Sequence, residues 1–195
     1  MARIVQVRSH MTKEDLLIDR LRKGQQSAIN AFVDTYAAYL YSIAFNVLRS
    51  KFDAEEATQD SMMKAIKNIE SFKQGSSFKA WLYSICYRTA IDHKRRNKIT
   101  TDIDSLFDNA DSNHADDQLL EDDMKFKIER LLSHLDDQDK TIIQLFYLDE
   151  LSIKEVCQIM NMTESNIKIK LFRARKELAL HAGKYFETLN LISYG

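Results

Sequence analysis

Five cationic side chains, Arg88, Lys94, Arg95, Arg96 and Lys98, fall within eleven consecutive residues. They follow Trp81 and Tyr83 and a small polar stretch, Phe72-Lys73-Gln74-Gly75-Ser76-Ser77-Phe78. Clustered cations beside aromatic rings and a polar loop suit single-stranded nucleic acid. Cations track the phosphates, and stacking on a ring is worth roughly 1–3 kcal/mol per base. Trp81 taken alone is equally well read as a core residue.

A second cationic set lies near the C-terminus. Placed on a helix, Ser165, Asn166, Lys168, Ile169, Lys170, Phe172, Arg173, Arg175 and Lys176 share the face opposite Ile167, Leu171, Ala174 and Leu178. Five cations against Glu164 and Glu177 suit phosphate contact and readout of base edges in a major groove. A solvated basic helix gives the same composition, so the elements around it must decide. A third set is acidic: Glu55, Glu56, Gln59 and Asp60. Glu56 and Asp60 form an i,i+4 like-charge pair that costs a helix roughly 0.2–0.5 kcal/mol. On this feature alone a solvated acidic face is the simpler reading.

No catalytic constellation appears. The histidines His10, His93, His114, His134 and His181 are scattered, and there is no Gly-rich phosphate loop. No Glu-x-x-His pair suggests a carboxylate-bridged metal site. No enzyme activity, cofactor or metal is therefore expected.

The elements that must position these residues read as helices. The 195 residues include no proline and four glycines, so the commonest helix breakers are scarce. Apolar residues recur at helical spacing from Lys13 to Leu48, with Gly24 dividing the run. Asp53 and Glu56 suggest a cap opening a helix at Asp53, with Ala54, Ala57, Met62, Ala65, Ile66 and Ile69 on its buried face. A further helix is predicted from Phe78 to Arg95. Ser152-Ile153-Lys154-Glu155 is a capping box. It opens a short helix, Asn161 suits a left-handed turn residue, and Thr163 caps the next helix. That pair is a helix-turn-helix candidate.

Between the two cationic sets, Asp102 to Asp123 holds nine acids and no Lys or Arg. Few large apolar side chains accompany them, so the segment is expected to be an extended linker. Charge segregated this way implies separate surfaces with separate partners, although the net charge is only −1. The two cysteines, Cys86 and Cys157, sit inside helical patterns and suit a reducing cytoplasm. No apolar run approaches a membrane span, and the N-terminus lacks an apolar signal core. Residues 1–10 differ from the rest, with Ser9-His10-Met11 resembling a cloning scar. The expected architecture is all-α: two helical domains joined by a flexible acidic linker, the second a helix-turn-helix. The expected boundaries are 12–97, a linker over 98–125, 126–183, and a tail over 184–195.

The ordered set of motifs resembles a known family. Asp53-Ala54-Glu55-Glu56-Ala57-Thr58-Gln59-Asp60, Phe78-Lys79-Ala80-Trp81-Leu82-Tyr83-Ser84-Ile85 and Ile91-Asp92-His93-Lys94-Arg95-Arg96 resemble region 2 of group 4, or extracytoplasmic-function, sigma factors. Ile167 to Leu178 resembles their region 4 recognition helix. The resemblance implies a transcription factor that directs core RNA polymerase to promoters. Glu56, Gln59 and Asp60 would meet the β′ clamp helices. Phe72, Lys73, Gln74, Ser76, Trp81, Arg88, Lys94, Arg95 and Arg96 would handle the −10 element. Ser165, Asn166, Lys168, Ile169, Lys170 and Arg173 would read the −35 element, and the same domain would touch the β flap. An anti-sigma factor is an expected further partner. Ile169 stands where the family usually has a small polar residue, and offers only apolar contact, for example to a thymine methyl. The competing readings are a helix-turn-helix regulator that works without polymerase, and a helical adaptor that binds only protein.

Overall fold

The computed structural model describes residues 12–73, 75–104, 128 and 130–192, and every regular element among them is helical. Helix α1 (Lys13–Arg22) opens on a capping box between Thr12 and Asp15. It ends before Gly24, whose φ of +63° reverses the chain into α2 (Gln26–Leu48). Helix α2 buries Ala28, Phe32, Tyr36, Leu40, Ile43, Ala44 and Val47, a single stripe at i, i+4 and i+3 steps.

Helix α3 (Lys51–Lys67) begins two residues before the expected Asp53. Its cap is Ser50, whose Oγ accepts from the Asp53 backbone N–H at 3.3 Å. Both residues are good cap formers. Ser50 wins because Phe52 and Asp53 then lie in the first turn, where Asp53 faces the positive end of the helix. The buried face of α3 is made of small side chains, Ala54, Ala57, Thr58, Ser61 and Ala65, with Met62, and this brings its backbone close to α2 and α4.

A 3-10 turn (Ile69–Ser71) leads to α4 (Phe78–Asp104). Helix α4 does not stop at Arg95. With no Gly or Pro between, its backbone runs on through the basic cluster to Asp104, into the segment expected to be extended. The remainder of that segment, and with it most of the acidic stretch, lies outside the described residues.

The second bundle starts with helical residues at 128 and 130–132, then α5 (Asp137–Ile143), capped by Asp136. Helix α5 widens into a π-type turn over Gln144–Leu148. Helix α6 (Ile153–Met160) carries the expected capping box, in which Ser152 and Glu155 satisfy each other's backbone N–H. Asn161 takes φ 54° and ψ 47°, the left-handed turn expected of it. Helix α7 (Glu164–Ile192) follows, and Thr163 accepts from the Asn166 N–H at 3.3 Å. Val156, Ile159, Met160, Ile167, Leu171 and Ala174 are buried between α6, α7 and α5.

The two bundles pack on each other. Helix α6 lies against α4, and α5 against α2.

Candidate nucleic-acid interface

The 72–78 loop is held at both ends. Phe72 and Phe78 are buried and meet edge to face at 5.2 Å between centroids. Trp81 joins them at 5.5 Å from Phe72 and 5.6 Å from Phe78. Phe32 and Tyr36 of α2 complete the cluster against Phe78. Each such pair is worth about 0.5–1.5 kcal/mol beyond its burial. Phe72 therefore belongs to the wall of the loop and presents no ring to a base in this conformation, contrary to its expected role. Trp81 is half-buried.

The loop tip is a turn. Ser76 N–H donates to the Lys73 carbonyl at 3.3 Å, and its hydroxyl donates to the same oxygen at 2.7 Å. Gly75 takes φ +92°, which a side chain would resist. Lys73 and Ser76 are exposed at the tip, while Gln74 lies outside the described residues.

Further along α4, Arg88, Lys94, Arg95 and Arg96 are all exposed. Lys94 is already engaged. Its Nζ donates to the Val47 carbonyl at 2.9 Å and to Asp137 Oδ2 at 3.0 Å. Arg49 Nε donates to Asp137 Oδ1 at 2.8 Å. Burial alone would raise the Asp137 carboxyl; the hydrogen bonds and charges of Lys94 and Arg49 prevail and hold it below the usual range.

Two more polar contacts join the bundles. Gln144, in the π-type turn, donates to Ser42 Oγ at 2.6 Å and accepts from Asn46 at 2.6 Å. Asp149 is buried, accepts from the Tyr83 hydroxyl at 3.3 Å, and has Lys79 Nζ 3.7 Å away. Its Oδ2 has no hydrogen-bond partner. Burial pushes the Asp149 carboxyl above its ordinary range, more than Lys79, Tyr83 and Gln144 pull it down.

The sign of that shift makes a prediction. A carboxyl raised by folding contributes stability that is full below its unfolded value of about 3.9 and lost as pH rises through the raised value. Above that range the carboxylate costs stability. Asp149→Asn is expected to raise the urea midpoint at neutral pH and to flatten the fall in stability above pH 4. A midpoint that drops, with the slope intact, would contradict this account.

On the acidic side, Glu56 and Gln59 are exposed on α3 and Asp60 is partly so. His93 of α4 reaches them, with Nε2 3.0 Å from Asp60 Oδ2. On α7, Ser165, Asn166, Lys168, Ile169 and Arg173 face outward together, and Ile169 is 48% exposed. Lys168 pairs with Glu164 at 2.7 Å along the same face. Lys170 departs from the set. It is half-buried and pairs with Asp139 at 2.7 Å and Asp136 at 3.8 Å, pinning α7 to the first turn of α5.

Sequence reasoning missed Arg49, Asp137, Gln144 and Asp149. Nothing local marks them, because each acts through a partner on the other bundle.

Two helical bundles, the second ending in a helix-turn-helix with a cationic outer face, define a two-domain protein of the DNA-binding class. The Sigma-70 region 2 family model matches residues 32–99, and the Sigma-70, region 4 model matches residues 125–178. The ECF RNA polymerase sigma factor SigW of Bacillus subtilis is 28% identical over 172 residues, covering 83% of this chain and 92% of its own. SigM of the same organism is 33% identical over 155 residues, covering 77% and 92%. The sigma factor RpoE from Bartonella quintana, solved in complex with the anti-sigma factor NepR, superposes with a TM-score of 0.59 at 26% identity, over 76% of this chain and 92% of its own. CnrH, solved with the cytosolic domain of CnrY, shares the fold with a TM-score of 0.60 at 17% identity, over 87% and 96%. The chain belongs to the sigma-70 family, as an extracytoplasmic-function RNA polymerase sigma factor acting in transcription initiation.

Proposed function

We propose that the two bundles divide promoter recognition between them, region 2 over residues 12–97 and region 4 over 126–183. Glu56, Gln59 and Asp60 bind the β′ clamp helices of core polymerase. The Lys73–Ser76 tip, Trp81 and the cations Arg88, Lys94, Arg95 and Arg96 hold the −10 strand. Extruding a base from the stack costs a few kcal/mol, which stacking and phosphate contacts offset. Ser165, Asn166, Lys168, Ile169 and Arg173 read the −35 duplex from the major groove. Region 4 also touches the β flap, and an anti-sigma factor binds the chain, as one binds the Bartonella relative in its solved complex. No helix among the described residues is long and apolar enough to cross a membrane. The chain acts in the cytoplasm, and neither a cofactor nor a catalytic step of its own enters this scheme.

The observation that carries the proposal is the division of α7. One face is buried through Ile167, Leu171 and Ala174. The other carries Ser165, Asn166, Lys168, Ile169 and Arg173 into solvent at the N-terminal end, where a recognition helix meets bases. Run-off transcription with core polymerase and a promoter library is the test. New transcripts are expected only when chain and core are both present. Tight duplex binding by the chain alone, with core indifferent to it, would select the polymerase-independent regulator instead.

A further inference from the structure

Glu56 and Asp60 stand one helical turn apart on α3, and their repulsion favours splayed side chains. His93, from another helix, faces both. It is buried, only 5% exposed, with Nε2 3.0 Å from Asp60 Oδ2 and Nδ1 4.0 Å from Glu56 Oε2. Burying an imidazole is unfavourable without hydrogen-bond partners, and an apolar ring would fill the same niche without needing any. The niche is polar on the side where α3 presents its carboxylates. Asp60 remains 43% exposed, so it is oriented without being withdrawn from solvent.

His93 also precedes Lys94, Arg95 and Arg96 directly. The same stretch of α4 thus holds an acid of α3 with one residue and carries the basic cluster, with Lys94 bound to Asp137, in the next. One turn nearer the start of α4, Lys64 of α3, one turn beyond Asp60, donates to Thr89 at 3.1 Å, so the two helices are tied at successive turns.

We propose that His93 is a positioning residue for polymerase binding, holding Asp60 in the orientation that meets core enzyme and tying the acidic face of α3 to the basic end of α4. This rests on the assignment of Asp60 as a polymerase contact. His93 itself does not touch polymerase; it acts through Asp60.

The test is a double-mutant cycle on the full chain, with affinity for core polymerase as the readout. Asp60→Ala is expected to weaken binding about tenfold, and His93→Phe about fivefold, within the range for the net worth of a typical hydrogen bond. The double variant should bind no more weakly than Asp60→Ala. His93→Gln, whose amide N–H can still donate to Asp60, should recover to within about twofold of the native chain. A purely structural role would not give this pattern, because loss of packing would add to the loss of Asp60. Full additivity, or native affinity for His93→Phe while Asp60→Ala is impaired, overturns the proposal and leaves the polymerase assignment standing. Native affinity for Asp60→Ala removes that assignment and the proposal with it. If the phenyl ring disturbs folding, His93→Asn carries the same cycle, since its shorter amide keeps a polar group but falls short of Asp60.

Discussion

Tethering Arg49→Cys to Asp137→Cys with a short, thiol-cleavable bismaleimide is expected to abolish promoter-directed transcription, and reduction is expected to restore it. The argument is one of length. The −35 and −10 positions are 25 base pairs apart by their numbering, roughly 85 Å along B-DNA at about 3.4 Å per pair. A globular chain of 195 residues has a radius of gyration of about 16 Å. With α6 on α4 and α5 on α2, the two DNA-facing surfaces do not span that distance. The 23 residues between Asp104 and Ile128 reach about 80 Å at full extension, which with the width of the bundles themselves is enough to serve both elements.

Promoter engagement therefore requires the bundles to part, and Lys94 shows where the competition lies. It holds Val47 and Asp137 in the closed arrangement and is one of the cations assigned to −10 DNA. Partly exposed ion pairs such as Asp137 with Arg49 and Lys94 contribute about 0–1 kcal/mol each, so these pairs by themselves oppose opening only weakly. The native thiols allow the experiment. Cys86 is buried with its thiol pushed up to about 12 by desolvation, and Cys157, partly exposed, is replaced by serine. Arg49 already sits at φ 59° as a non-glycine residue, so Cys there adds little strain. A tethered chain that initiates as well as its reduced form would show that closure and promoter engagement are compatible.

The elements most legible in the sequence were those specified by neighbours. Ser152 and Glu155 lie three apart and satisfy each other, so their box was readable without the fold. Asn161 was readable for the same reason, since its side chain tolerates a left-handed turn wherever the helices go. The stripe Ile167, Leu171 and Ala174 followed from helical period alone, and its complement set the outward face. Ambiguity began where two residues compete locally, as Ser50 and Asp53 do for the start of α3. Composition misplaced the end of α4, because acids beyond Asp102 do not break a helix that nothing else interrupts. Tyr39 shares the helical spacing of the core residues of α2 yet is 48% exposed, with Lys79 Nζ 5.5 Å above its ring. The contacts between bundles were not legible. Arg49 with Asp137 and Asn46 with Gln144 are separated by 88 and 98 residues, and no periodicity encodes such pairs. For the candidate site, residue type marked the cations, but only packing separates Lys168, exposed and paired within its own helix to Glu164, from Lys170, held against α5.

That distinction carries the last prediction. Lys168→Ala and Arg173→Ala are expected to weaken holoenzyme binding to a −35-dependent promoter by about 1–3 kcal/mol each if they reach base edges, or to act through the salt slope if they reach phosphates. If both reach phosphates, together they should lower that slope by nearly two, since each phosphate contact contributes about 0.9. Lys170→Ala should leave the slope near native and lower thermal stability instead. Its ammonium meets Asp139 and Asp136 at the head of α5, and its loss leaves Asp139, only 15% exposed, without that partner. The exposed pair of Lys168 with Glu164 does not alter the expectation, because an i,i+4 surface pair screened by solvent yields to a phosphate. Ile169→Ser, which restores a small polar group, should relax discrimination at one base pair by about a methyl contact's worth, roughly 1 kcal/mol, without changing the slope. Salt titration of promoter binding by the reconstituted holoenzyme separates these outcomes. A slope lowered as much by Lys170→Ala as by Lys168→Ala would mean that α7 meets DNA with the face now turned to α5, and that region 4 rearranges when it binds.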